Sequence, residues 1–324
     1  MSGEAMRDAA TAGEQAARPM EIPRRGWWAV SKRIFTQIGT HNLSLVAAGC
    51  AFYTLFSVFP AITALVSLYG LVSDPGQVEQ QVQAMQGVLP DEALTIVQNQ
   101  LSTVASASRQ GLSWGLGVSL GLALWTASAA IKSLFTALNI VYREEEKRGF
   151  IMFAAQGLVF TLAAIVAVLV AIFAITVVPA VLQLLALGSI TEPLIRWLRW
   201  PLLAGLMIVG LAVLYRYGPS RSNPRWAWVS WGAVVATVLW VVASIGFSLY
   251  VANFGAYDKT YGSLGAVVVL MLWLWISVFV VLLGAELNAE LEHQTEHDTT
   301  IGEPKPVGER GAFVADHLPG SARA

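Results

Sequence analysis

The chain has 324 residues, of which 56% are hydrophobic and only 13% are charged, and its mean hydropathy is +0.60. Because soluble proteins carry about 25% charged residues, this composition excludes an ordinary soluble enzyme. The net charge of −1 provides no global basic field for nucleic acid. The single cysteine, Cys50, excludes a disulfide framework and a cysteine-based metal site.

The N-terminal region divides into two parts. Residues 1–25 mix acidic residues with four arginines and contain no apolar run, so they predict a disordered cytoplasmic leader rather than a signal peptide. Residues 26–40 place apolar side chains on one helical stripe and polar side chains opposite it. That pattern predicts an amphipathic helix at the membrane interface, with a soluble cap on the bundle as the alternative.

Six apolar segments are long enough to cross a hydrocarbon core of about 30 Å, which requires about 20 helical residues. They cover residues 43–72, 112–141, 150–187, 198–215, 226–254 and 263–285. None shows the alternation of a membrane barrel, so the sequence predicts an all-α, polytopic membrane helix bundle. Several segments exceed one straight span, and Pro60 and Pro179 are the natural positions for tilts or breaks.

Orientation follows from the lysines and arginines of the connections. Fifteen lie on one side and four on the other, which predicts six spans with both termini in the cytoplasm. The membrane domain is then residues 41–292, with an amphipathic outer helical insertion at 73–110. Residues 293–324 are rich in proline and glycine and predict a disordered cytoplasmic tail.

Two patterns resemble catalytic motifs by their letters. Two G-x-S-x-G matches occur between Gly111 and Gly121, but they lie in an apolar span, where their glycines favour close helix packing instead. His293, Glu296 and His297 match the H-x-x-E-H zinc pattern, without an evident third ligand. Neither pattern predicts an active site, and we expect no catalytic residue, metal or cofactor.

Lys132 is the one charge well inside a predicted span, where a central lysine costs about 2.5 to 3.5 kcal/mol. It either extends its stem towards the inner headgroups or faces the bundle as a binding group. Ser128 and Asn139 share its helical face, four and seven residues away. In the first span, Pro60 has no N–H and so leaves an earlier backbone carbonyl without its usual helical partner. This position is either a kink that shapes the bundle or a polar site. The candidate transport path therefore comprises Lys132, Ser128, Asn139, Thr54, Ser57 and Pro60.

Three further groups of polar residues lie at the ends of the spans. Glu286 and Glu290 are either a solvated helix end or acids that carry a proton or pair with a base. The connection between the last two spans is either a tight turn or an outer gate, with Asn253, Tyr257, Asp258, Lys259 and Tyr261 as its candidate residues. An inner loop without acids either signals orientation or contacts lipid headgroups through Arg216, Arg221 and Arg225.

Several blocks of sequence carry a family resemblance. Residues 47–71 read AAGCAFYTLFSVFPAITALVSLYGL, 137–150 read ALNIVYREEEKRGF, 214–228 read LYRYGPSRSNPRWAW, and 247–291 read FSLYVANFGAYDKTYGSLGAVVVLMLWLWISVFVVLLGAELNAEL. Over residues 40–292 the chain resembles the YihY/virulence factor BrkB family of bacterial inner-membrane proteins. The resemblance implies six spans with both ends cytoplasmic. Relatives have carried a ribonuclease BN label, which no residue pattern here supports.

The resemblance implies a transporter role without a settled substrate. We therefore expect a multi-pass protein of the bacterial inner membrane that transports an anionic lipid, an amphiphile or a small solute. The alternative is an envelope scaffold or partner-binding membrane protein that uses the outer segment 73–110. The expected partners are membrane lipids, with a homo-oligomer left open and no nucleic acid.

Overall fold

The computed structural model describes residues 13–72, 114–184, 191–253 and 263–318, and within these ranges it is helical and has no strand. A 3-10 turn at Pro19–Glu21 precedes eight α-helices. They are α1 (Arg24–Thr40), α2 (Leu43–Val72), α3 (Trp114–Tyr142), α4 (Phe150–Leu184), α5 (Thr191–Tyr217), α6 (Trp226–Asn253), α7 (Ser263–His293) and α8 (Phe313–Asp316). The all-α prediction is confirmed.

The long helices have the length and composition of membrane spans. In the described residues, five helices, α3 to α7, are long and apolar enough to cross a bilayer. The number rises to six if α1 and the first part of α2, which meet at 62°, are taken as one bent span. This agrees with a polytopic membrane bundle and with the predicted segments.

The surface of the bundle is apolar where a bilayer would surround it. Val166 and Phe173 on α4 and Val242 and Ile245 on α6 are all more than half exposed. Helices that are hydrophobic all round are typical of membrane spans. Because lipid and core are equally apolar, specific packing between these helices has to come from small residues and hydrogen bonds.

The spans form a ring in chain order. Each helix from α2 to α6 packs against the next one, and α7 packs against α2 and so closes the ring. Helix α7 also contacts α1, α3 and α8, which makes it the most connected helix of the bundle. Polar side chains on α7 can therefore reach most of the other elements.

Helices α6 and α7 approach closely at a pair of glycines. A Cβ added to Gly284 would lie 2.6 Å from the carbonyl oxygen of Gly232, so neither position has space for a side chain. Asn288 joins the same two helices, because its carboxamide accepts from the Gly232 N–H at 2.7 Å and donates to the Val229 carbonyl at 3.1 Å. Both features are typical of helix packing in membranes.

The two prolines do not interrupt their spans, and the last span is longer than predicted. Helix α2 runs through Pro60 and α4 runs through position 179 without an interruption of helical structure, so neither proline breaks a span. Helix α7 extends to His293, eight residues beyond the predicted end of the last span. The described part of the first G-x-S-x-G segment, from Trp114, is helical as well.

The expected disorder at the two ends does not hold for the described residues 13–25 and 294–318. The Thr295 hydroxyl donates to the carbonyl of Ala16 at 2.6 Å, and the Glu296 N–H donates to that of Glu14 at 2.7 Å. The tail also contacts the inner loop before α6, where the Arg225 N–H donates to the Thr299 carbonyl at 2.8 Å. The two ends of the chain therefore pack on each other and on the bundle.

Two charged residues organise the tail internally. Arg310 is 4% exposed, and its guanidinium donates to the carbonyls of Lys305, Glu296, His297 and Ala315. The Asp316 carboxylate accepts from the N–H groups of Gly308, Arg310 and Gly311 at 2.8 to 2.9 Å. The glycines and prolines of this segment therefore support turns, with positive φ at Gly302, Gly308 and Gly311, rather than disorder.

Candidate functional site

The C-terminal end of α7 carries a concentration of buried polar residues; it lies at the end of the bundle that the charge count predicts to face the cytoplasm, and we call it the inner end. Glu286, Asn288, Glu290 and Glu292 are each at most 2% exposed. Helical spacing places Glu286, Glu290 and His293 on one face and Asn288 and Glu292 on another. A buried charge is costly unless it is paired and hydrogen-bonded, so each acid requires a partner from another element.

The first face of α7 pairs with α1 and with the end of α3. Glu286 Oε2 lies 3.1 Å from Nδ1 of His41, the residue that follows α1. Glu290 accepts from Arg33 Nε at 2.5 Å and lies 3.6 Å from Arg143 Nη2. His293 Nδ1 lies 3.7 Å from the same Glu290 carboxylate. This arrangement overturns the solvated helix end and supports the alternative in which the acids pair with bases.

The second face of α7 binds the inner loop between α5 and α6. Arg221 donates two hydrogen bonds to the Glu292 carboxylate, at 2.7 and 3.1 Å, and both side chains are fully buried. The guanidinium also lies 4.1 Å from the centre of the Tyr142 ring. Thr299 in the tail donates to Glu292 at 2.9 Å. The tail, the α5–α6 loop, the end of α3 and α7 thus meet at one ion pair.

These contacts correct the predicted headgroup site. Arg221 is fully enclosed and pairs with Glu292, so it cannot reach a lipid. Arg216 is 7% exposed and stacks its guanidinium 4.3 Å from the Trp226 ring centre. Arg225 is exposed and donates through Nε to the Thr300 carbonyl at 3.1 Å. Of the three arginines, Arg225 alone keeps the exposure that a headgroup contact needs.

Asn139 was predicted to share a transport path with Lys132, but it connects two inner loops. Its amide donates to the Glu146 carboxylate at 3.0 Å, and its carbonyl oxygen accepts from the Ser220 N–H at 2.8 Å. Partial burial alone would raise the pKa of Glu146, but hydrogen bonds from Arg148 and Asn139 lower it to about 2. Asn139 therefore has a structural role at the inner end.

Lys132 lies between α3 and α4. A Cβ added to Gly157 would lie 2.8 Å from Lys132 Cγ, so the glycine makes room for the lysine stem. The ammonium lies 4.6 Å from the centre of the Trp125 ring, seven residues back along the same helix. No Asp or Glu in the described parts of the chain forms an ion pair with it. Ser128 is fully buried beside the same glycine, and its hydroxyl donates to the Trp125 carbonyl at 2.6 Å.

The two hydroxyls of the first span bond mainly to their own helix. Thr54 donates to the Cys50 carbonyl at 2.7 Å, and Ser57 donates to the Tyr53 carbonyl at 2.8 Å. Ser57 also lies 3.4 Å from the Thr126 carbonyl, which places it at the contact of α2 with α3. Pro60 lies further along the same continuous helix. Their membership of a transport path stays a prediction.

Two other predicted groups are only partly described. Asn253 is the last residue of α6, and the remaining candidate gate residues lie outside the described residues, so the outer gate stays a prediction. In the zinc-like pattern, His293 faces Glu290, whereas His297 lines a cavity of about 490 Å³ with Gln15 and Glu296. The described ranges contain no group of three or more His, Cys, Asp or Glu that could hold a metal ion.

The sequence comparisons decide the family. The sequence model of the family described as virulence factor BrkB matches residues 34–307, most of the chain. The chain belongs to the virulence factor BrkB family. The predicted resemblance is thus confirmed, and the match includes the first part of the folded tail. No solved structure matches the chain.

Relatives in this family cover most of the chain. A UPF0761 membrane protein of Vibrio parahaemolyticus is 30% identical over 264 residues, which is 80% of each chain. A UPF0761 membrane protein of Alteromonas mediterranea is 28% identical over 82% of this chain and 88% of its own. A Bacillus subtilis protein that bears the name ribonuclease-like protein YfkH is 28% identical over 80% of this chain and 94% of its own. The protein is thus an integral membrane protein of the BrkB family, and the word ribonuclease belongs to a relative's name.

The sequence reading missed several residues of the inner cluster. It considered Glu286 and Glu290 but omitted Asn288 and Glu292, although four polar residues in seven at the end of an apolar helix are a signal. It also gave no role to His41 and Arg33. Their partners lie about 250 residues away in the sequence, so only the closure of the ring brings them together.

Proposed function

We propose that this BrkB-family protein transports an anionic amphiphile across the membrane, with Lys132 as the group that binds its negative charge. The observation that carries the proposal is a lysine in a membrane span without a carboxylate partner among the described residues. Its ammonium rests on the Trp125 ring at 4.6 Å. Ionisable residues inside membrane spans commonly mark substrate or ion pathways.

The energetics favour a lysine that binds an anion. Translocon scales give a cost of about 2.5 to 3.5 kcal/mol for a lysine at the centre of a span. A cation–π contact returns about 1 to 2 kcal/mol when the cation is desolvated. The positive charge is thus only partly compensated, and an anionic group would supply the rest.

The surroundings of Lys132 support an amphiphile over a small polar solute. The Trp125 ring lies 6.3 Å from the Phe150 ring, and these side chains are 41% and 76% exposed on the lipid-facing surface. A ligand with an anionic head and an apolar tail can contact the ammonium and these rings together. Gly157 leaves room for the Lys132 stem between α3 and α4, so the ammonium can lie beside these rings.

The test uses proteoliposomes with a fluorescent phosphatidylglycerol in one arm and radiolabelled inorganic phosphate in the other. We expect the wild type to move the lipid faster than protein-free vesicles, and Lys132→Met to reduce this rate at least tenfold while the protein stays folded. Lys147→Met, at an exposed loop lysine, is the matched control and keeps the wild-type rate. A Lys132→Met rate equal to that of the wild type would contradict the assigned role.

The alternative function, an envelope scaffold, predicts a different outcome. A scaffold requires Lys132 only for folding, so neither probe would move faster than in protein-free vesicles. Movement of phosphate but not of the lipid would favour a small solute instead. The outer segment 73–110, on which a scaffold would depend, lies outside the described residues.

A further inference from the structure

Helix α1 packs on the bundle along one of its faces. Val30 is fully buried in an apolar cluster that includes residues of α6 and α7. The Trp27 ring lies 5.8 Å from the Trp231 ring of α6, and Arg33 binds Glu290 of α7. These contacts fix the rotation of α1 about its own axis, and so they decide which of its side chains point away from the bundle.

The outward face of α1 combines large apolar side chains with positive charge. Trp28 is 76% exposed and Phe35 is 77% exposed, and they lie two helical turns apart. Arg24, Arg25 and Lys32 are also exposed, and helical spacing places them on the same side as these rings. Helix α1 contains no Asp or Glu, and none of these three cations forms an ion pair with a described residue.

The direction of α1 allows its outward face to reach the membrane surface. Helix α2 has 30 residues, which is enough to cross a hydrocarbon core of about 30 Å without a contribution from α1. The axis of α1 meets that of the first part of α2 at 62°. With α2 along the membrane normal, α1 therefore lies closer to the plane of the membrane than to its normal. Leu45 at the start of α2 is 73% exposed, so the lipid-facing surface of this span begins near the end of α1.

We propose that the outward face of α1 docks on anionic phospholipid headgroups, with Trp28 and Phe35 inserted at the boundary of the acyl chains. Helices that lie in the membrane interface combine aromatic side chains, which enter this boundary, with lysines and arginines that attract anionic lipids. Each Lys or Arg close to an anionic surface strengthens binding about fivefold. The occupant is lipid because three cations without an acid complement phosphate groups. This surface is separate from Lys132 and does not depend on what the protein transports.

The first test measures the depth of a spin label in nanodiscs that contain phosphatidylglycerol. Three single-cysteine variants are labelled in a Cys50→Ala background: Trp28→Cys, Val242→Cys on the apolar surface of α6 and Lys147→Cys in an exposed loop. The last two report hydrocarbon and water. We expect a neutral, water-soluble nickel chelate to reach the label at position 28 at least about fivefold less than the label at position 147. Equal access at these two positions would overturn the proposal.

The second test separates anionic headgroups from any other bilayer surface. Nanodiscs of phosphatidylcholine alone offer no anionic lipid, so the nickel chelate should reach the label at position 28 several times more often there. Arg24→Gln, Arg25→Gln and Lys32→Gln together should cause the same increase in phosphatidylglycerol nanodiscs, whereas Lys305→Gln, at an exposed lysine of the tail, should not. Equal access in the two lipid mixtures, or a triple variant equal to the wild type, refutes the recognition of anionic lipid. If the triple variant does not fold, the comparison of the two lipid mixtures still decides.

Discussion

The Arg221 and Glu292 pair offers a quantitative test of how the inner end is held together. Both side chains are fully buried, and two hydrogen bonds of 2.7 and 3.1 Å bring their charge centres to about 4 Å. At an effective dielectric constant of about 20, two charges at that distance attract by about 4 kcal/mol. Glu292→Gln leaves the guanidinium buried without a counter-charge. We therefore expect a loss of about 3 to 5 kcal/mol in the free energy of unfolding.

The pair should behave differently when both partners are removed together. Arg221→Met with Glu292→Leu eliminates both buried charges and fills their space with apolar groups, so its stability should lie within about 2 kcal/mol of the wild type. Lys32→Gln, at an exposed lysine of α1, is the control and should change stability by about 0.5 kcal/mol or less.

The measurement is denaturant unfolding in mixed micelles, followed by tryptophan fluorescence, with the three variants compared under identical conditions. The reasoning predicts that the double variant is more stable than Glu292→Gln. It is refuted if Glu292→Gln costs about 1 kcal/mol or less, or if the double variant is as unstable as the single one. The first result would mean that water reaches this pair, and the second that the loss does not come from an unpaired buried charge.

Three further predictions concern packing, pH and orientation. Gly284→Ala should lower the free energy of unfolding by about 1 to 3 kcal/mol, because the added Cβ meets the Gly232 carbonyl oxygen at 2.6 Å. Gly246→Ala is the control, since a Cβ there has no atom within 4 Å, and it should be neutral or up to about 1 kcal/mol more stable in the same unfolding assay. The pKa of Glu146 is lowered from 4.5 to about 2, so the contribution of its carboxylate to stability is complete above pH 4.5 and is lost as the pH falls towards 2. Glu146→Gln should therefore make the stability of the protein less dependent on pH over this range. A pH profile equal to that of the wild type contradicts the Asn139 and Arg148 contacts. A cysteine at Ser102 should react with an impermeant thiol reagent applied outside, whereas a cysteine at Lys147 should not. Lys147 is exposed, whereas Ser220 in the neighbouring loop is buried and would not react from either side. The opposite labelling would reverse the predicted orientation.

Hydropathy and helix length were sufficient to predict the spans, because in a bilayer each apolar segment has to satisfy its own backbone hydrogen bonds. The order of packing was not predictable, since the lipid-facing and buried surfaces of α4 and α6 are equally apolar. The prolines and glycines of the tail led to the prediction of disorder, whereas in the structure they lie in turns. Their turns are fixed by Arg310 and Asp316, whose bonds run over five to fourteen residues and leave no periodic signal.

The site was predictable only in part, for a related reason. Lys132 was evident because a lone charge in an apolar span is costly wherever it points. Arg221 was assigned to headgroups because its own loop contains no acid, and its partner Glu292 lies 71 residues further along the chain. Short-range charge patterns thus describe a loop correctly and still give no information on which distant helix neutralises it.

The position of α7 at the end of the chain has a consequence for biogenesis. Arg33, Arg143 and Arg221 leave the ribosome long before Glu290 and Glu292, which neutralise them. During synthesis this end of the bundle therefore carries cations whose counter-charges have not yet been made. Insertion of the last span supplies Glu290 and Glu292 together, so a chain that ends before residue 286 leaves all three arginines without counter-charges. The charges of this cluster are therefore balanced only once the final helix has been made.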